Sequence, residues 1–423
     1  MSEGDNIFSV GIDLCSDCSQ VSYSNGGESP VSVEFMGNDE KYSIPTVVSK
    51  TIGRDEWFAG HDAINSAKLG EAVLVEDLLK KAADKNPVNV DDRPVMPIEL
   101  LKTYLGYLIS LAQTAGKSEK VDKICVTFDE FNISVLNVVQ KALEMSGIDK
   151  QNIMLACHDE SYIYYAISQQ EELRNGDVFL FEYGEEGLIV KNMYMVNERG
   201  TRFVMIHSDD FSEDISYKPV TNPLSGEYLD TLLTQAAEQV IGRRHASAIY
   251  LTGKAFNGEI NFPEFIKYLC DRGRVFAGQN MYCKGACYQA FEQEAGGRCN
   301  DMMLACAQRI TTGIEIKISD RGREKMLRMV RPGVNWFGAD CSYDFIVDDI
   351  KELEVFLSPV DTSEKQLVKV PLDDFPKRPV KATRISVSFS FTSDSRCHMM
   401  VKDMGFGEFF ASSGRVINEE LLL

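Results

Sequence analysis

The sequence has little positive charge and no long apolar run. Its 44 Lys and Arg residues stand against 64 Asp and Glu, which gives a net charge of −20 at pH 7. A chain of this charge is repelled by nucleic-acid backbones and by anionic membrane surfaces, so we expect neither as a partner. No apolar stretch approaches the roughly 20 residues that span a bilayer, and the polar start MSEGDN does not resemble a signal peptide. We therefore expect a cytoplasmic protein.

The sequence also lacks the clustered ligands of a zinc site. Cys15 and Cys18 form one CxxC, and Cys283 and Cys287 lie four residues apart. Neither a second CxxC nor a His-x-His accompanies them, so we expect no bound metal and interpret the 11 cysteines as reduced, structural thiols. The five histidines are scattered, and none lies near a plausible nucleophile in the sequence, so nothing points to a catalytic triad.

The composition is that of a globular protein. Hydrophobic residues make up 44% of the chain and charged residues 26%, which is an ordinary balance for a soluble fold. At 423 residues the chain is long enough for two or three domains with substantial cores.

The N-terminal stretch predicts a β-hairpin with an acidic residue at the end of its first strand. Ile7–Ile12 is an apolar run that ends on Asp13, CSDCS supplies the turn, and Gln20–Tyr23 returns. Short β-branched and aromatic runs on both sides of a polar turn are typical of such hairpins.

A second hairpin of the same design lies near the middle of the chain. Val178–Phe181 ends on Glu182, and a turn carrying Gly184 and Gly187 leads into Leu188–Val190. Two hairpins with a carboxylate in the same place suggest an internal duplication.

Each hairpin is followed by a strand and an amphipathic helix. Lys123–Ile148 reads as a strand and then a helix, with Ser247–Leu269 as its counterpart in the second half. The first of these helices has apolar residues at helical spacing, namely Ile133, Leu136, Val139 and Leu143. The repeat predicts two halves, at about 1–168 and 177–300.

Two helices are predicted between the first hairpin and its strand–helix block. We expect a helix over about Glu71–Ala83, a loop over Asp84–Pro97 and an amphipathic helix over Ile98–Gln113. The last should turn Leu101, Tyr104, Leu105 and Leu108 inward.

This order of blocks resembles the actin, hexokinase and 70-kilodalton heat-shock chaperone superfamily. Gly11-Ile12-Asp13-Leu14 is similar to the start of the chaperones' first phosphate hairpin, and Gly253 matches their adenosine-side motif. A later segment resembles their closing helix and keeps Gly285, Ala286, Gln289 and Ala290. The resemblance implies an α/β fold of duplicated ribonuclease-H-like, actin-type ATPase design over 1–300. The fold would be reduced, because residues 242–247 leave no room for the clamp subdomain that closes over the nucleotide in the chaperones.

The resemblance implies a vestigial nucleotide and magnesium pocket. Its residues would be Asp13, Glu160, Glu182, Gly184 and Gly253. Such acids can hold a cation, although inherited strand-end acids without a ligand are the simpler interpretation.

The phosphate turns depart from the family pattern. The second turn carries Glu185 and Glu186 where the chaperones have glycine. Like charges about 5 Å apart repel by roughly 3 kcal/mol at an effective dielectric near 20, unless the side chains turn toward solvent. The family's catalytic lysine is not evident, although Lys80 and Lys81 lie near the matching place. We therefore expect no catalytic residue and no cofactor, with ATP and Mg²⁺ as the doubtful alternative.

The C-terminal part resembles a chaperone peptide-binding domain without its helical lid. Residues 301–312 are predicted to be an interdomain linker and 313–423 a β-sandwich, because Arg384–Phe391 alternates with period two and should bury Ile385, Val387, Phe389 and Phe391. The resemblance places Phe345, Val347, Val355 and Leu357 along a peptide groove, although alternating apolar residues more often fill a sandwich core.

Three functional interpretations follow from the resemblance. The first is a catalytically inactive, chaperone-like binding or scaffolding module that engages a protein or extended peptide through the sandwich. The second is a divergent ATP-dependent chaperone, which the phosphate turns oppose. The third is an actin-like filament protein, which the C-terminal sandwich opposes. We expect the first.

Overall fold

A computed structural model describes residues 7–26, 28–35, 41–198, 200–217, 223–257, 261–295, 301–320, 322–347, 351–360, 362 and 364–423. The chain divides into two compact units. The first comprises Met1–Tyr194 and Ile206–Asn300, and the second Met195–Met205 and Asp301–Leu423. Helices occur in the first unit, and the C-terminal part is rich in strands, so the prediction of a mixed α/β protein with a strand-rich C-terminal region is confirmed.

The described residues contain eight α-helices and 25 strands. The helices are α1 Gly60–Lys68, α2 Leu78–Asp84, α3 Pro97–Gly116, α4 Ile133–Met145, α5 His158–Ser168, α6 Pro223–Ile241, α7 Pro263–Cys270 and α8 Met281–Ala295. Strands up to residue 277 are β1 Phe8–Leu14, β2 Cys18–Asn25, β3 Val31–Ser32, β4 Ile44–Pro45, β5 Val48–Thr51, β6 Trp57–Ala59, β7 Ala72–Val75, β8 Val88–Val90, β9 Arg93–Val95, β10 Lys123–Phe128, β11 Ile153–Cys157, β12 Val178–Gly184, β13 Gly187–Glu198, β14 Thr201–Asp210, β15 Ala248–Thr252 and β16 Val275–Ala277. The later strands are β17 Met302–Ala305, β18 Thr312–Asp320, β19 Arg323–Val330, β20 Cys341–Val347, β21 Glu352–Pro359, β22 Gln366–Pro371, β23 Thr383–Phe391, β24 Arg396–Gly405 and β25 Val416–Leu422.

Two sheets of the first unit share one strand order. In the first sheet the order is β11-β10-β1-β2-β3, with β4 also paired to β2. β1 and β2 form the predicted hairpin, and β10 and β11 add in parallel on the other side of β1. In the second sheet β12 and β13 form the hairpin, and β15 and β16 add in parallel on the other side of β12. Both hairpins and both strand–helix blocks therefore form as the sequence predicts.

Each half contributes a helix that packs on the other half's sheet. α8, from the second half, lies against β1 so closely that a Cβ atom on Gly11 would stand 2.2 Å from the Cys283 carbonyl oxygen. α5, from the first half, meets the second sheet, because the Tyr162 hydroxyl donates to the Val178 carbonyl at 2.9 Å. The two helices also touch each other where Gly285 faces Ser161. Glycine is needed at these contacts because any side chain would collide with backbone.

Two of the predicted helices are confirmed with their buried faces. α3 buries Leu101, Tyr104, Leu105 and Leu108 completely. α4 buries Leu136, Val139 and Leu143, whereas Ile133 is the first residue of the helix and is partly exposed.

The segment before α3 differs from the prediction. Residues 72–75 form β7, which pairs antiparallel with β5, and the helix starts only at Leu78. The run AVLV has β-branched residues that suit either state locally, and the pairing with β5 decides for a strand. The predicted loop contains the β8–β9 hairpin, whose turn residues Asp91 and Asp92 both have positive φ. Such φ values are typical of a tight type I′ turn.

The segment predicted as a linker contains a strand. β17 pairs in parallel with the start of β14, with Met302 to Ala305 opposite Arg202 to Met205. The apolar residues that suggested a docking linker are accounted for by this pairing, in which Leu304 and Ala305 are buried.

The C-terminal strands form a two-sheet sandwich. One sheet has the order β19-β18-β21-β22 and the other β20-β23-β24-β25. One core lies between them, and it includes Ile385, Val387, Phe389 and Phe391 as predicted from the alternation of β23. Among the described residues, no helix has the length and apolar character needed to cross a membrane.

Candidate functional site

Two strand-end acids, one from each half, line a common cavity. Asp13 lies at the end of β1 and Glu182 near the end of β12, and both border a cavity of about 310 Å³ together with Gly253. The carboxyl ends of parallel strands are the usual place for a ligand site in open α/β sheets. Three of the five predicted pocket residues are thus brought together.

Asp13 is engaged by a histidine from the same chain. The His158 Nε2 atom lies 2.8 Å from Asp13 Oδ1, and both side chains are nearly buried. Burial disfavours the charged imidazolium, but the Asp13 carboxylate outweighs this effect and the pKa of His158 is raised. The contact occupies Oδ1 of Asp13, and it is an ion pair whenever His158 is protonated.

Glu182 is engaged by a tyrosine. The Tyr282 hydroxyl donates to Glu182 Oε2 at 2.7 Å, and burial, with the nearby Glu182 carboxylate, raises the pKa of Tyr282 well above its usual value. The tyrosine ring stacks on His158, with ring centres 3.8 Å apart and planes 9° apart. One aromatic stack therefore engages both strand-end acids.

A buried lysine contacts two acids beside the cavity. Lys191 Nζ lies 2.9 Å from Asp159 Oδ1 and 3.9 Å from Glu182 Oε2. Burial works against the ammonium ion, but these two carboxylates raise the pKa of Lys191, so it stays charged. Asp159 and Glu182 therefore share one buried cation.

The backbone of Gly253 is also occupied. Its N–H donates to Gln279 Oε1 at 3.2 Å, and its carbonyl accepts from Gln279 Nε2 at 3.1 Å. Gly253 has φ of +100°, and a Cβ atom there would lie 2.3 Å from the Tyr183 carbonyl oxygen. Both the backbone conformation and the lack of space therefore require glycine. A ligand that used this peptide group would first have to displace Gln279.

The turns of the two hairpins are linked across the cavity rim. Lys254 Nζ lies 2.6 Å from Glu185 of the second turn and 4.0 Å from Asp17 of the first. Glu185 and Glu186 are exposed, so their mutual repulsion is weakened by solvent. Phosphate would still meet acidic side chains at both turns, and it would compete for the lysine that holds them.

These contacts test whether Mg²⁺-ATP fits the residues present. The groups that the resemblance assigns to metal and nucleotide, Asp13, Glu182 and Gly253, are engaged by His158, Tyr282 and Gln279. One carboxylate oxygen of each acid and the Gly253 peptide group are already hydrogen-bonded within the chain, so Mg²⁺-ATP would have to displace these contacts, and the residues do not fit it in this arrangement.

The two other predicted pocket residues lie elsewhere. Glu160 is buried in α5, where its Oε2 accepts from Gln289 of α8 at 3.2 Å. Gly184 ends β12 opposite Gly187 and does not border the cavity. Glu160 therefore joins the two exchanged helices instead of facing a metal.

A thiol lies beside the Asp13–His158 pair. Cys15 Sγ is 3.3 Å from Asp13 Oδ1, and one donor atom from each of Asp13, Cys15 and His158 falls within 4.8 Å of the others. Burial and the Asp13 charge raise the pKa of Cys15 well above its usual value, so the thiol is neutral unless a cation compensates. The other pair of predicted structural thiols lies in α8, where burial raises the pKa of Cys283 to about 12.

Comparison with known protein families gives two matches. Residues 29–307 match a family of unknown function (DUF5716), C-terminal part. The chain belongs to this family. Residues 309–423 match a domain of unknown function (DUF8552). No curated protein matches the sequence.

The DUF5716 match covers most of the cavity but not its first hairpin. His158, Glu182, Gly253 and Tyr282 lie inside the matched range, whereas Asp13 precedes it. The DUF8552 match covers the whole sandwich. The family descriptions state no activity, so the function is argued from the contacts.

The four residues predicted for a peptide groove lie in strands of the sandwich and contact its core. Val355 and Leu357 are 0% and 2% exposed, and both belong to the core between the sheets. Phe345 and Val347 are in β20 of the other sheet and pack against the same core. The groove prediction needs correction for Val355 and Leu357, because a ligand cannot reach side chains that the facing sheet already covers. Phe345 and Val347 are half-buried, and their role in binding stays a prediction. Asp348 and Asp349, which follow Val347 in the sequence, lie outside the described residues.

The sequence analysis missed the side chains that engage the pocket. His158 directly follows β11, a parallel strand in the sheet of β1, so its carboxyl end opens at the same edge as Asp13. That position was a usable signal. Tyr282 gave no such signal, because it lies in α8, which packs against the first half. Gln279 lies between β16 and α8 and contacts Gly253 from 26 residues away.

Proposed function

We propose that this protein is a catalytically inactive, chaperone-like binding or scaffolding module that does not hydrolyse ATP. One observation carries the proposal: the His158–Tyr282 stack engages Asp13 and Glu182, the two acids that a nucleotide-bound metal would need. A ligand that needs these acids must first break their hydrogen bonds to His158 and Tyr282, so it exchanges good contacts for new ones and little net affinity remains.

The topology supports an actin-type origin for the first unit. Two sheets with a hairpin followed by two parallel strands, and two helices exchanged between the halves, match the duplicated ribonuclease-H-like arrangement that the sequence resembles. Only residues 242–247 separate α6 from β15, so this position holds no clamp subdomain. The sandwich supports a relation to chaperone peptide-binding domains.

The partner of such a module would be a protein or an extended peptide. Because Val355 and Leu357 face the core, binding would instead use sandwich surfaces that remain open, such as strand edges. The outer strand β20 exposes Tyr343 and Ile346, which gives an extended segment apolar contacts beside backbone hydrogen-bonding groups.

Calorimetry of the full chain with ATP, with and without Mg²⁺, tests the inactive pocket. We expect no binding tighter than about millimolar and no phosphate release. The variant carrying Glu185→Gly and Glu186→Gly should remain inactive, because Asp13, Glu182 and Gly253 are still engaged. A micromolar, Mg²⁺-dependent isotherm with the unmodified chain would contradict the proposal.

A second experiment distinguishes the module from a divergent ATP-dependent chaperone. A library of labelled extended peptides is screened against the full chain, and the affinity of each binder is measured again with Mg²⁺-ATP. The proposal expects peptide affinities that nucleotide leaves unchanged. Release of peptide on addition of ATP would favour the ATP-dependent chaperone instead.

A further inference from the structure

The first hairpin and α5 bring three different metal-binding groups to one point. Asp13 ends β1, Cys15 follows it by two residues, and His158 begins α5 after a separation of 145 residues from Asp13. Their oxygen, sulfur and nitrogen donors lie within 4.8 Å of one another. All three side chains border the cavity, which leaves room for a water molecule beside them.

We propose that Asp13, Cys15 and His158 bind one zinc ion, with a water molecule from the cavity as the fourth ligand. The proposal goes beyond the inactive nucleotide pocket and does not depend on it, because the ion would be held by the chain's own side chains and not by a phosphate.

The distances suit a tetrahedral ion after a small expansion. With zinc–ligand bonds of about 2.0–2.3 Å, neighbouring ligand atoms in a tetrahedral site lie about 3.4–3.6 Å apart. The observed separations are 2.8 Å between His158 Nε2 and Asp13 Oδ1 and 3.3 Å between Cys15 Sγ and Asp13 Oδ1. Side-chain rotations that open these two contacts by a few tenths of an ångström to about 0.6 Å would admit the ion, provided they also bring the Cys15 and His158 donor atoms, which lie within 4.8 Å of each other, to the tetrahedral spacing.

The donor types select the class of metal. A thiolate and an imidazole suit zinc, whereas Mg²⁺ and Ca²⁺ prefer sets made of oxygen. Binding would form Zn–S, Zn–N and Zn–O bonds and release the Cys15 thiol proton, and His158 would bind through a ring nitrogen that carries no proton. The ion's charge would balance the Asp13 carboxylate and the Cys15 thiolate.

The surroundings pre-organise the histidine. Its ring is stacked on Tyr282, whose hydroxyl is held by Glu182 at 2.7 Å. A ligand ring held in place by neighbouring groups loses less entropy when a metal binds. Cys18 also borders the cavity, but it is not part of the cluster of mutually close donors.

A zinc titration of the full chain, stripped with a chelator and free of nucleotide, tests the site. Competition with a chromophoric chelator should show one equivalent of Zn²⁺ bound. Cys15→Ser and His158→Gln should each weaken the affinity at least about tenfold. The matched controls are Cys18→Ser, in the same turn, and Cys270→Ser, at an exposed position. Both should bind as the unmodified chain does.

Cobalt substitution gives a readout that does not depend on the affinity. Co²⁺ bound by the proposed set should show a sulfur-to-cobalt charge-transfer band that is lost in Cys15→Ser and kept in Cys18→Ser. Circular dichroism verifies that each variant is folded, and Cys15→Ser, which lies in a turn, carries the test if His158→Gln does not fold. Absence of stoichiometric Zn²⁺ binding, or a charge-transfer band that survives Cys15→Ser, would overturn the site. The titration contains no nucleotide, so its result bears on the zinc site alone. The inactive-pocket proposal fails only if the chain binds ATP, which the calorimetry detects separately.

Discussion

At the scale of single residues, Arg378 and Asp403 form the most completely enclosed ion pair of the described sandwich. The guanidinium donates to both carboxylate oxygens, at 2.6 and 2.7 Å, and the side chains are 5% and 0% exposed. Asp403 also accepts from the Ser413 hydroxyl and backbone and from the Gly405 N–H. The pair therefore ties the loop after β24 to the segment before β23.

Removing the arginine should destabilise the sandwich strongly. We expect Arg378→Ala to lower the free energy of unfolding by about 3–5 kcal/mol, because a buried carboxylate loses its partner. The two tryptophans lie in different units, so Trp57→Phe leaves Trp336 as a fluorescence probe of the sandwich in urea titrations. Arg396→Ala is the control, since its pair with Glu420 is 63% exposed on both sides and should contribute less than about 1 kcal/mol. Equal effects of the two substitutions would contradict the argument.

The same pair predicts an acid-dependent stability. The hydrogen bonds from Arg378, with those from Ser413 and Gly405, hold the pKa of Asp403 well below its usual range. A carboxyl whose folded pKa is depressed contributes stability that is complete above its unfolded value, about 3.9, and is lost as the pH falls toward the folded value. Urea midpoints measured from neutral pH to pH 3 with the Trp336 probe should therefore fall more steeply below about pH 4 in the unmodified sandwich than in Asp403→Asn. An equally steep fall of the urea midpoint in the two proteins at acid pH would refute this prediction.

At the scale of elements, the contact between α5 and α8 determines how the two halves of the first unit join. A Cβ atom on Gly285 would lie 1.9 Å from the Ser161 carbonyl oxygen, which is backbone and cannot rotate away. The same helix carries Tyr282 into the cavity and positions Gln289 against Glu160. The pocket contacts therefore depend on this helix crossing.

A single methyl group should disturb that crossing. We expect Gly285→Ala to cost about 1–3 kcal/mol through overpacking. Gly106→Ala, in α3, is the matched control, because nothing lies within 4 Å of its Cβ position and alanine favours a helix by up to about 1 kcal/mol. With Trp336→Phe, the remaining Trp57 reports urea unfolding of the first unit. A neutral or stabilising Gly285→Ala would show that the helices separate without cost.

At the scale of the whole molecule, the first unit repeats a hairpin and two parallel strands in two sheets, and side chains of the same chain engage the acids that border its cavity. A nucleotide-driven cycle would need ligand-dependent contacts in that cavity, and Asp13, Glu182 and Gly253 already have theirs. β17, in the segment predicted to be an interdomain linker, is paired with β14. Nothing in these contacts gives β17 a second arrangement to adopt.

Hydrogen exchange of the full chain tests whether nucleotide changes the pairing of β17 with β14. Amides of Met302–Leu304 should show the same protection with and without Mg²⁺-ATP, because pairing with β14 holds them independently of the cavity. Peptides from the cavity turns serve as an internal control for nucleotide binding. A nucleotide-dependent change in the β17 amides would indicate coupling and would support an ATP-dependent cycle.

The sequence by itself determined the elements whose signal is local. The hairpins, α3 and the alternating strand β23 follow from periodicity and turn residues, which act within a few neighbours along the chain. Asp13 and Glu182 were found for the same reason, since each directly ends an apolar run.

Only the tertiary structure decided what happens at those acids and in the sandwich. β7 is a strand because β5 lies beside it, and Val355 is core because a second sheet covers it. His158 and Tyr282 reach Asp13 and Glu182 from 145 and 100 residues away, respectively. Such contacts depend on close packing between distant elements, and a pattern that spans a few residues contains no record of them.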